Sequence, residues 1–96
     1  MGDSMSAVEE ILSERQSTHG SFADNARIAQ ALRALYRAQP GWAALTEIQR
    51  ESLDMIAGKI SRIMSGQGSF EDHWIDLAGY STLARKEAAT ISGEGK

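Results

Sequence analysis

Four times in this chain a hydroxyl side chain is followed three positions later by a carboxylate or amide: Ser6 and Glu9, Ser21 and Asp24, Thr46 and Gln49, Ser69 and Asp72. This spacing opens helices, because each side chain meets a backbone hydrogen bond that the first helical turn leaves unmade. Asp is the weaker match at the third position, so the second and fourth signals are less complete. Breaks separate the signals at His19-Gly20, Pro40-Gly41 and Gly66-Gln67-Gly68. The chain therefore predicts helices over about 7–16, 22–38, 47–64 and 70–90. No stretch alternates apolar and polar residues as a half-buried strand does. The expected fold class is all-α, a small four-helix bundle-like domain with antiparallel neighbours on short connections.

At 96 residues the chain suits a single domain with a thin core, read as residues 6–90 between a disordered or extraneous start at 1–5 and a flexible tail at 91–96. Such a core is often completed by self-association, and a homo-oligomer is expected. The absence of cysteine removes disulfides and thiolate zinc sites and fits a cytoplasmic protein. No apolar run is long enough to span a bilayer and no leader pattern is present, so no membrane partner is expected. A formal charge of −3 and a pI near 5.3 argue against nucleic acid, which needs a concentrated basic face.

Periodicity assigns faces. At about 100° per residue, the third predicted helix gathers Leu53, Ile56, Ala57, Ile60, Ile63 and Met64 on its core arc. Glu51, Asp54, Gly58 and Arg62 fall opposite, on a solvated face with a charge ladder from Asp54 to Arg62. The second helix offers Ile28, Leu32 and Leu35, with Ala29 and Tyr36 alongside, and the fourth offers Phe70, Trp74, Leu77, Ala78 and Ala84.

The chemistry concentrates in Asp72-His73-Trp74-Ile75-Asp76-Leu77-Ala78-Gly79-Tyr80. Asp72 and Asp76 stand one turn apart and share a side with Tyr80 and Leu83, and a half-buried carboxylate needs a partner. A hard cation such as Mg2+ would satisfy both acids and carry a phosphate. The structural alternative makes Asp72 a cap partner of Ser69 and Asp76 an ion-pair partner of another helix. Lys59 lies at the edge of its apolar arc, so its ammonium snorkels outward, meets Asp76, or meets a bound phosphate. His19, beside Gly20 and one turn after Arg15, either holds an anion at a helix start or forms an exposed turn. His73 is a single histidine without a second at ligand spacing. No nucleophile-and-base pattern, phosphate-binding glycine loop or zinc spacing is present, so covalent catalysis is not expected.

Three segments carry a resemblance: Arg15-x-x-x-His19-Gly20-x-Phe22, Asp54-Met55-Ile56-Ala57-x-Lys59-Ile60-x-Arg62-Ile63, and Asp72 to Tyr80. Together they look like a family of small, largely uncharacterised bacteriophage and prophage proteins. More distantly, the order of acidic motifs is similar to the MazG-like all-α nucleoside triphosphate pyrophosphohydrolases. That similarity implies Mg2+ held by Glu51, Asp54, Asp72 and Asp76, with Asp76 and Asp72 as the catalytic acids. A nucleotide or other phosphate-bearing ligand would be met by Lys59, Arg62, Tyr80 and His19. The sequence departs from that pattern at His73 and at Arg50, where the enzymes carry Glu, and the wheel turns Glu51 and Asp54 away from the core arc. Three functions stay open: a Mg2+-dependent pyrophosphohydrolase, a non-catalytic or anti-defence nucleotide binder, and a protein-interaction accessory.

Overall fold

The computed structural model describes residues 7–10 and 21–94. Residues 7–10 are helical (α1). They are followed among the described residues by α2 (Phe22–Arg37), a 3-10 turn (Pro40–Ala44), α3 (Glu47–Arg62), a π turn (Ile63–Gln67) and α4 (Glu71–Glu94). The fold is all-α, with no strand among the described residues. No helix among them is long and apolar enough to cross a membrane.

Local chemistry sets the helix starts. Thr46 and Gln49 form the full capping box, each side chain bonded to the other's backbone N–H at 3.2 and 3.0 Å. Ser21 accepts from the Asp24 N–H at 3.4 Å, half of the same device. Ser6, Arg15 and His19 lie outside the described residues. Pro40 opens the 3-10 turn, where its missing N–H costs no bond. Gly66 takes φ 118° in the π turn, a conformation glycine reaches without strain. Helix α4 runs to Glu94, past the expected end at 90 and into the stretch read as tail.

Helix α3 packs against both α2 and α4. Its most buried residues are small: Ser52, Ala57 and Ser61. Small side chains let neighbouring backbones approach on both sides. The Ser61 hydroxyl, fully enclosed, bonds the Asn25 side chain of α2 and, at 2.7 Å, the Gly58 carbonyl. His73 and Gln67 bond one another where the π turn leads into α4, and the Phe70 ring meets His73 edge-on at 5.0 Å.

This packing corrects the expected core. Among the described residues the buried apolar side chains are Ala29 and Ala57, while Met64, Leu35, Phe70 and Trp74, placed on core arcs by periodicity, are exposed. The wheel identifies an apolar arc but not whether a neighbour stands opposite it. Because α3 is covered on two sides, its polar face is half-buried as well. Asp54 and Gly58 are half-buried, and only Arg62 and Glu51 of that face stay exposed.

Candidate functional site

On the side facing α2, Asp54 is fully engaged. The Tyr36 hydroxyl donates to Oδ1, and Arg37 Nη2 donates to Oδ2 at 2.7 Å. Arg33 Nη2 donates to the Asp54 backbone carbonyl at 2.9 Å. Burial alone pushes the Asp54 carboxyl upward, but these hydrogen bonds and the charges of Arg37 and Arg33 outweigh it and hold the carboxyl below its usual value. Burial, then the hydrogen bond and charge of Asp54, push the Tyr36 phenol up to about 12. The ladder expected from Asp54 to Arg62 is replaced by the pair with Arg37, because α2 covers this face.

The aromatic neighbour of this cluster is Trp42, whose ring lies 5.3 Å from Tyr36 and under the guanidinium groups of Arg37 and Arg50 at 5.7 and 5.4 Å. Arg50 also donates to the carbonyls of Trp42 and Ala43 at 3.2 and 3.0 Å. The residue standing where the resemblance expects Glu therefore ties α3 to the 3-10 turn. His73, the second departure, is buried between Gln67 and Phe70.

On the side facing α4, Lys59 Nζ lies 2.7 Å from Asp76 Oδ2, with the lysine mostly enclosed. Of the partners open to Lys59 from sequence, the structure selects Asp76. Farther along this seam, α3 and α4 part to form an open cleft of about 590 Å3. Its apolar lining comes from Ile48, Met55 and Leu83, and its charges are Glu47, Glu51, Glu87 and Lys86, with Tyr80 between. Glu47 and Glu51 reach it together because they are one turn apart on α3.

The sequence-derived site residues are thus divided among separate places. Glu51 and Tyr80 share the cleft, Lys59 and Asp76 form a pair, and Asp54 is bonded to α2. Asp72 and Arg62 are exposed, and His19 lies outside the described residues. Glu51 precedes Lys59, and hence the level of Asp76, by about 12 Å along α3. Among the described residues no three His, Asp or Glu side chains gather as a metal ligand set. The residues present do not fit the Mg2+ site that the resemblance implies. Periodicity missed Glu47, Lys86 and Glu87. Their signal was the repeat of Glu47, Glu51 and the facing Tyr80, Leu83, Glu87, which marks one seam once the two helices are set side by side.

A family model described as Domain of unknown function (DUF6378) matches residues 5–88. No curated protein and no solved structure matches the chain.

Proposed function

Because the chain belongs to the DUF6378 family, whose description assigns no activity, we propose a function from the cleft itself: the protein is a non-catalytic interaction protein, and the α3–α4 cleft takes a basic, amphipathic segment of a partner. The observation that carries this is the cleft's lining, in which Ile48, Met55 and Leu83 are accompanied by three carboxylates and one ammonium. Apolar side chains of an inserted segment would be desolvated against the first group, while Lys or Arg one turn apart would meet Glu47 and Glu51. This reading goes with an accessory protein of a bacteriophage or prophage acting in the host cytoplasm.

A second reading keeps the phosphate ligand. It is favoured by Tyr80 and Lys86 lining one cleft of a size suited to a small molecule. A nucleotide would stack on the Tyr80 ring with Lys86 at its phosphates. The carboxylate excess opposes an anion there, which places this reading second.

Calorimetric titration separates the two. The full chain is titrated with a Lys-rich amphipathic peptide and with a nucleotide panel in Mg2+, with phosphate and pyrophosphate release followed in parallel. The interaction reading expects peptide binding that weakens with salt, falls about tenfold in Glu51→Gln combined with Glu87→Gln, and proceeds without turnover. Nucleotide binding, with or without turnover, would replace it by the second reading. Failure of both ligands removes the cleft as a site.

A further inference from the structure

Helix α4 faces α3 with His73, buried, and with Tyr80 and Ala84, half-buried. The opposite arc carries Trp74, Ile75, Ala78, Thr82 and Ala89, all exposed, within about 100° of helix surface. Trp74 and Ile75 are 51 % and 55 % exposed. The charges on this arc are Glu71 and Arg85, opposite in sign, separated by about four turns and so in line. Neither forms an ion pair among the described residues. An outward helix face is ordinarily rich in charge. This one is small or apolar between Glu71 and Arg85, and those two are its charges.

We propose that the arc is the contact between two copies of the chain, with α4 packed antiparallel on α4 around a two-fold axis at Ala78. The charges determine the direction. Parallel packing would set Glu71 against Glu71 and Arg85 against Arg85. Antiparallel packing about Ala78 sets Glu71 against Arg85 of the second copy, twice by symmetry. Trp74 then lies against Thr82 of the second copy, and the Ala78 methyl groups allow the axes to approach closely. Stripe positions 71, 75, 78, 82, 85 and 89 alternate steps of four and three, the spacing at which two helices stay in contact over several turns. A single copy buries two apolar side chains among those described, Ala29 and Ala57, and the pairing adds Trp74 and Ile75. The α4 residues of the cleft, Tyr80, Leu83 and Glu87, lie outside this arc, and Lys86 borders it.

Sedimentation equilibrium on the full chain, with helicity followed by circular dichroism, tests the direction as well as the state. The wild type is expected to be dimeric in the micromolar range. Arg85→Glu should weaken the dimer about tenfold or more, since it places like charges at both ends. Adding Glu71→Arg should restore it. The chain has no cysteine, so Ala78→Cys reports the axis directly: oxidation should join two copies there, where Cα atoms come within about 7 Å. Ala34→Cys on α2 should stay unjoined. A wild type that is monomeric throughout, a dimer indifferent to Arg85→Glu, or an Ala78→Cys variant that does not cross-link each overturns the proposal.

Discussion

Lys59 of α3 and Asp76 of α4 are joined at 2.7 Å, with the lysine side chain 13 % exposed and the aspartate 43 %. The asymmetry sets the energetics. The ammonium is the group taken from water, and the carboxylate, still partly hydrated, is its compensation. Removing either partner is therefore not equivalent.

Asp76→Asn should destabilise the fold by about 1–3 kcal/mol, because it strands a mostly buried cation. Lys59→Met should cost less, since it removes the buried charge and leaves a carboxylate that water reaches. Urea midpoints of the two single variants and the double variant check this. Equal effects, or Lys59→Met as the worse of the two, would contradict it.

Asp54 and Tyr36 give the stability curve two pH limbs. The carboxyl is depressed in the folded state, so its contribution is complete above its ordinary value of 3.8 and is lost as pH falls below that through the folded value. The phenol is raised, so its contribution is complete below 10.0 and is lost as pH rises from there to about 12. Asp54→Asn should flatten the acid limb, and Tyr36→Phe should remove this part of the alkaline one. Thermal melts across pH would refute the assignment if Tyr36→Phe left the alkaline limb intact.

Two glycines should respond to alanine with opposite signs. A Cβ at Gly58 meets Arg33 Nη2 at 3.4 Å, the far end of a flexible side chain that can yield. The gain in helix propensity, about 1 kcal/mol, then wins and Gly58→Ala stabilises. At Gly66 nothing lies within 4 Å of a Cβ, yet φ is 118°. Gly66→Ala should therefore cost about 1–3 kcal/mol through backbone strain alone. Denaturation of both variants decides the signs.

Ser61 is wholly enclosed between α2 and α3. Ser61→Ala should cost about 1 kcal/mol by leaving the Asn25 side chain short of a partner. Ser61→Leu should cost about 1–3 kcal/mol by forcing the helices apart. If the larger substitution proved neutral or stabilising in denaturant titration, the close approach at this position would be disproved.

The sequence by itself determined where α2 and α3 begin. The Thr46–Gln49 box and the Ser21 cap close hydrogen bonds within one turn, so residues three apart suffice to predict them. Pro40-Gly41 and Gly66 punctuate the chain through backbone geometry that is equally local. The all-α class followed from these.

Only the tertiary structure decided which sides meet. Asp54 was legible as an acid on a polar face, but its partners Tyr36 and Arg37 belong to the preceding helix, and no periodicity in α3 names them. Glu51 and Asp54 differ by less than a turn in sequence, yet one enters the cleft and the other faces α2. The rotation and level of α4 relative to α3 pass through the kink at Gly66, whose φ of 118° breaks the helix within Ile63–Gln67 and redirects every later contact. A helix start is settled by bonds spanning three residues. A site between helices is settled by their mutual rotation and offset, which depend on the packing of small residues such as Ser52, Ala57 and Ser61 along the whole of α3.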